Sequence, residues 1–387
     1  MFKETVAAYT FDIGGLFAGF VVAAQLGIFQ LSPWALPLYP AIVSAKGVIG
    51  GLLSGRLGTA LHLGTIYPKF LGNTKSFYKL FEALIVTTLT ASITMSTVAL
   101  LFGYVFWGIT FADLADVIAV VIATMSTGLL ISLITIKVAF VSFKKGLDPD
   151  VIVYPVMSTI ADILITVFYV AILNLFFFID FGKLAIIAIG LVNAFLVLFI
   201  LPKNRHEPEF TKTLKESLAT LIVVAFIVNV TGTLLKGISE HVESRKEIYT
   251  VYPALIDMIG DVGSVVGSTA TTKLALGILA PSLSSIRKHA KHILSALSAS
   301  ITIIFFLSLL SLSINSLLSI SAFLDLLVTL LIANLISVAA IVLLSFGISI
   351  LTFKKGLDPD NFVIPIESSL ADSTTTLALL VALLMLK

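Results

Sequence analysis

The chain has 387 residues, 58% of them hydrophobic and 12% charged, with a mean hydropathy of +1.10 and a formal net charge of +2. A charge content roughly half the globular norm excludes an ordinary soluble domain, the near-neutral balance gives no reason to expect a nucleic-acid partner, and zero cysteines exclude disulfides and thiolate metal sites. Many apolar runs exceed the ~18 residues that mark a spanning helix, so the fold class expected is an all-α polytopic membrane protein.

In chain order, eleven spans are predicted at 10–31, 36–56, 82–109, 116–142, 151–178, 183–201, 217–238, 250–272, 292–314, 323–352 and 361–386. The N-terminal MFKETVAAYTFDIGG shows no cleavage pattern, so the first span is expected to remain. Segments 36–56 and 250–272 are glycine-rich and weakly hydrophobic. A broken or re-entrant helix is an open alternative for both, tolerated where protein or a cavity surrounds it.

After the fourth span stands FKKGLDPD, 143–150, which returns unchanged at 353–360. Over 143–162 and 353–372 the two copies agree at 13 of 20 positions. A second pair, 39–64 and 252–277, aligns without gaps at nine of 26 positions, including Pro40/Pro253, Gly47/Gly260 and Gly50/Gly263. Internal repetition at this spacing means two copies of one unit. Five spans end on the side opposite their start, so two units in the same orientation need one extra crossing, and 183–201 supplies it. The expected organisation is a first repeat at 1–182, a linking helix at 183–201 and a second repeat at 202–387, pseudo-two-fold symmetric about the membrane normal.

The side holding the N-terminus collects fifteen lysines and arginines, the other side five. The positive-inside rule then places the N-terminus in the cytoplasm and the C-terminus outside, with the plasma membrane as the expected location.

Within FKKGLDPD, Gly146 suits a helix stop, and Asp148 before Pro149 reads as a cap with proline at the first helical position. A vestibule role for Asp148, Asp150, Asp358 and Asp360 is the alternative. Asp162 and Asp372 are different. Each lies about 11 residues past its helix start, hence ~16 Å deep at 1.5 Å per residue. A carboxylate at that depth is costly unless it meets a partner, water or an ion. Ser158 and Ser368 precede them by one turn on the same face, and Glu367 adds an acid in the second copy only. Pro155 and Pro365 interrupt the ladder nearby and free a carbonyl. In the glycine-rich spans, Lys46 and Val48 align with Ile259 and Asp261, and Ser44 with Asp257, so the second repeat carries two acids where the first carries a cation. Two readings of Lys46 stay open, an internal counter-charge or a side chain that snorkels to the surface. The histidines at 206, 241, 289 and 292 read as loop residues.

No Walker motif, GxSxG or HExxH occurs, so no enzyme is expected. Two midplane carboxylates with hydroxyls and glycine-exposed carbonyls make an all-oxygen site, which suits a hard cation and a divalent one best. The candidate ligands are Asp162, Asp372, Asp261, Asp257, Glu367, Ser158 and Ser368, with backbone at Gly47 and Gly260. A proton- or Na⁺-coupled carrier of another solute and a non-transporting membrane scaffold remain as alternatives.

GLDPD followed by proline and by Ile160-Ala161-Asp162 or Leu370-Ala371-Asp372 resembles the last membrane helix of MgtE-type magnesium channels and the related magnesium solute carriers. PAIVSAKGVIGGLLSGRLGTA, 40–60, is similar to the second helix of those solute carriers. The resemblance extends over nearly the whole chain. It implies a tandem fusion that works as a monomer (a pseudo-dimer), Mg²⁺ as the transported ion, an ion site between the halves, and Asp162 and Asp372 as chief ligands. The chain departs from the family pattern where an asparagine of the second helix becomes Val48 and Asp261, and where an acidic position falls at Gly50. Na⁺ or H⁺ as a coupling ion is left open.

Overall fold

The computed structural model describes residues 5–6, 9–146, 149–242, 245–275, 277–355 and 359–386, with 149–156 and 359–366 among those described by backbone alone. All regular structure among them is helical. A 3₁₀ turn at Phe11–Gly14 leads into α1 (Gly15–Ala24), followed by a short turn of helix at Leu26–Phe29. Then come α2 (Leu38–His62), α3 (Lys75–Phe102), α4 (Leu114–Thr127), α5 (Leu129–Lys144), α6 (Pro149–Phe178) and α7 (Gly182–Asn204). The remainder forms α8 (Pro208–Val242), α9 (Lys246–Ala275), α10 (Ile286–Ile314), α11 (Ile320–Lys354) and α12 (Pro359–Met385).

Local chemistry sets these boundaries. Thr74 caps α3 by accepting from the Phe77 amide at 3.4 Å. Gly146 stops α5 with φ +72°, a conformation that side-chain-bearing residues resist, as its place in FKKGLDPD predicted. Asp148 and Asp358 lie outside the described residues. The polar residues inside the helices satisfy themselves locally: Thr88, Ser92 and Ser96 donate in succession to the carbonyls of Leu84, Thr88 and Ser92 at 2.7–2.9 Å. In lipid no water would do this for them.

Among the described residues, nine helical stretches are long and apolar enough to cross a membrane. They correspond to nine of the eleven predicted spans. The other two fall on α1 and α9. Phe11–Ala24 is an apolar stretch of helix broken at Gln25. At 1.5 Å per residue it reaches only about 21 Å, short of the ~30 Å hydrocarbon core. Helix α9 is long enough, at 30 residues, but its acids, glycines and threonines make it too polar to meet the same measure. Both α2 and α9 are continuous, so the break considered for the glycine-rich segments does not occur.

Two compact units form, Gln25–Asn229 and Met1–Ala24 with Val230–Lys387. In the first, α2 lies against α6, α3 and α5, and α7 runs beside α3, α4 and α6. Lys203 and Asn204 at the end of α7 both bind Glu82 of α3, at 2.5 and 2.7 Å. Only 17% of the α7 span is buried; Leu191, Phe195, Leu198 and Phe199 are exposed, as expected of a helix facing lipid around most of its circumference.

In the second unit, α9 is central and packs on α1, α10, α11 and α12. Helix α1 docks on it through two glycines four residues apart. A Cβ at Gly15 would stand 2.9 Å from the backbone of Ala254, and one at Gly19 would run into the Thr250 carbonyl. Small residues at this spacing let helix backbones approach closely. The N-terminal helix therefore packs with the second half of the sequence.

One brace recurs in both units. Tyr39 on α2 bonds Thr166 on α6 at 3.0 Å, and Thr166 donates to the Asp162 carbonyl at 2.6 Å. Tyr252 on α9 bonds Thr376 on α12 at 2.8 Å, and Thr376 donates to the Asp372 carbonyl at 2.6 Å. Both tyrosines open the aligned Tyr-Pro motifs. Tyr39→Phe and Tyr252→Phe are each expected to lower stability by about 1 kcal/mol, the usual worth of a buried hydrogen bond, measured as a fall in the thermal midpoint in detergent.

Candidate cation site

Helix α9 and helix α12 bring four of the predicted acids into one unit: Asp257, Asp261, Glu367 and Asp372. Glu367 is wholly buried. Ser264 of α9 donates to its Oε2 at 3.0 Å, while Oε1 has no hydrogen-bond partner among the described residues. The carboxyl fills the space beside Gly263, where a Cβ would collide with Oε1. Glycine at 263, one of the repeat's aligned glycines, is thus the room made for an acid. Asp261 and Asp372 both lie within electrostatic range of Glu367. No lysine or arginine forms an ion pair with Glu367 among the described residues.

Asp257 sits one turn before Asp261 on α9 and is half-buried. Because α9 is continuous through it, Asp257 is a mid-helix acid. A Cβ added at Gly260 would stand 4.0 Å from that of Ala371 on α12, an ordinary packing distance. Ser368, one turn before Asp372, is exposed.

The first-repeat candidates lie in the other unit. Asp162 is 8% exposed on α6, with Ser158 half-buried a turn earlier. Gly47 on α2 is exposed, with nothing within 4 Å of a Cβ built there, so the backbone around it is accessible and packing does not demand the glycine. Lys46 is 3% exposed and its Nζ donates to Ser132 of α5 at 2.9 Å. Its ammonium is held inside the protein, which removes the snorkelling alternative.

Two residues that sequence reasoning passed over belong to the acid cluster. Asp12, in the 3₁₀ turn before α1, is 6% exposed, and Tyr9 is fully buried. Asp261 acts electrostatically on both, and Glu367 on Tyr9. The signal was an acid at the very start of an apolar run, followed by glycines that dock it. His289 also differs from its expected loop position. It is buried on α10, stacked on His292 with ring centroids 4.7 Å apart. Thr269 already donates to the Val265 carbonyl at 2.6 Å, so the 2.9 Å contact to His289 Nε2 makes that nitrogen the donor.

Among the described residues no three histidine, aspartate or glutamate side chains are placed to clasp one metal ion. Buried carboxylates on long helices, in a unit repeated twice in one chain, are what a cation-handling polytopic membrane protein requires.

The family comparison agrees. The family model for MgtE, divalent cation transporter, matches residues 39–172 and 252–382, more than half of the chain in two separate regions. The chain belongs to this family, carries its domain twice, and is a membrane transporter of divalent cations and not an enzyme. Comparison with curated proteins and with solved structures returned no match.

Proposed function

We propose that the chain carries Mg²⁺ across the plasma membrane, using the acids that each repeat places on its last helix near the bilayer midplane. The observation carrying this reading is Glu367: a fully buried carboxylate with one serine donor, one oxygen without a partner among the described residues, and two further acids within electrostatic range. Such a group is costly in a membrane interior unless a cation visits it. Asp162 and Asp372 are proposed as equivalent ligands, since the same tyrosine–threonine brace fixes the backbone at both. Asp261, Asp257, Glu367, Ser158, Ser368 and the backbone at Gly47 and Gly260 are the remaining proposed ligands, and the two repeats serve one functional monomer.

Mg²⁺ flux into proteoliposomes holding only this protein tests the reading. Uptake that Mg²⁺ and Mn²⁺ compete for, and that excess Na⁺ does not abolish, is expected. No divalent flux would leave the scaffold reading, and flux strictly dependent on an H⁺ or Na⁺ gradient with another solute would favour the coupled carrier.

The proposed orientation has the N-terminus inside and the C-terminus outside. A C-terminal tag is expected to be cut by protease added to intact cells; a tag protected there and cut only from inside would overturn it.

A further inference from the structure

We infer that Asp12 and Tyr9 complete the cation site of α9 and α12, so that the first helical segment of the first repeat supplies a ligand to the acids of the second. This rests on the reading of those acids as a cation site.

The register places them there. Gly19 meets Thr250 and Gly15 meets Ala254, so α1 and α9 run antiparallel. Three residues back from Gly15 is Asp12; three residues on from Ala254 is Asp257. Continuing one turn brings Tyr9 level with Gly260 and Asp261. The 3₁₀ turn bearing Asp12 is itself packed on α9. Asp12 therefore arrives beside the α9 face that carries Asp257 and Asp261, and it arrives buried.

What it does there follows from its missing partners. Tyr9 Oη, Asp12 Oδ2 and Glu367 Oε1 are all buried, and none has a hydrogen-bond partner among the described residues. A structural acid in an apolar interior is paired, because an unpaired one costs the full desolvation penalty. Here three oxygens from two separate segments, the N-terminal one and α12, are left open around Asp261, and no lysine or arginine forms an ion pair with Asp12 or Glu367 among the described residues. The group that answers all of them at once is a hard cation with its bound waters: carboxylates accept from those waters, and the tyrosine hydroxyl can accept or donate. An apolar docking helix would need no acid at 12. The GxxxG contact explains how α1 is held, and the open oxygens explain why Asp12 is on it.

The test uses the full chain in two assays, Mg²⁺-dependent thermal protection of the purified protein and Mg²⁺ flux in proteoliposomes. Asp12→Asn is expected to leave the ion-free thermal midpoint unchanged and to raise the half-saturating Mg²⁺ concentration about tenfold in both assays, the scale of removing one charge-assisted bond. Asp12→Glu is expected to restore most of that affinity, which a purely steric role at 12 would not produce. If Asp12→Asn does not fold, Tyr9→Phe decides, with an expected rise of about threefold for the removal of one hydroxyl. Wild-type affinity in a folded Asp12→Asn, or in Tyr9→Phe where that variant decides, overturns the inference. Wild-type protein that Mg²⁺ protects but does not cross, with protection lost in Asp12→Asn, would refute the transport reading and uphold this one.

Discussion

Asp372→Asn is expected to cut Mg²⁺ flux at sub-saturating concentration by roughly 30-fold while the protein stays folded, because a charge-assisted bond to the ion is worth about 2 kcal/mol. The change keeps the side chain's size and removes one negative charge. The bond that fixes this turn, Thr376 to the residue 372 carbonyl, uses the main chain and survives the substitution. Thermal midpoint without ion should therefore hold while flux falls. Asp162→Asn should act in the same direction, because Asp162 has the same brace from Thr166 and Tyr39. Flux from both variants at the wild-type rate would remove these residues from the site.

Gly19→Leu should strongly damage the fold. Its Cβ would enter the space of the Thr250 carbonyl and of the Tyr249 carbonyl beside it. These are backbone atoms of a central helix and cannot turn away as a side chain does. Overpacking in a close-packed interior costs about 1–3 kcal/mol and more where the neighbour is rigid. Undocking α1 also withdraws Asp12 from α9, so ion-dependent protection should disappear along with stability. Gly27→Leu is the control, since nothing lies within 4 Å of a Cβ there. A thermal midpoint for Gly19→Leu equal to that of Gly27→Leu would contradict the close docking of α1.

Much of this arrangement was legible in the residues alone. The FKKGLDPD repeat announced two units and, through Ala-Asp after each, the acid on each last helix. The tyrosines that open the two aligned segments brace the backbone at those acids, a role seen only in the structure. What escaped has a common physical origin: spacing along a chain shows which residues share a helix face, not which helix that face meets. A Cβ at the repeat-aligned Gly47 or Gly50 meets nothing, whereas Gly15 and Gly19, outside the repeat alignment, make the close contact. Asp12 was passed over because its burial depends on α9, some 245 residues away. His289 read as a loop residue among Arg287, Lys288 and Lys291, but helix α10 begins before it and turns it inward onto Thr269. Lys46 left two readings open until Ser132 was found beside it.

The central claim is that the transported ion rests among the carboxylates of α9 and α12. A high-resolution map of the protein saturated with Mn²⁺, read by its anomalous signal, tests this most directly. The account predicts Mn²⁺ within hydrated contact, about 4–5 Å, of Asp372, Asp261 or Glu367, with waters between metal and carboxylate. Metal found only on surface acids such as Glu207 or Glu240, with those three carboxylates unoccupied at saturating Mn²⁺, would contradict it.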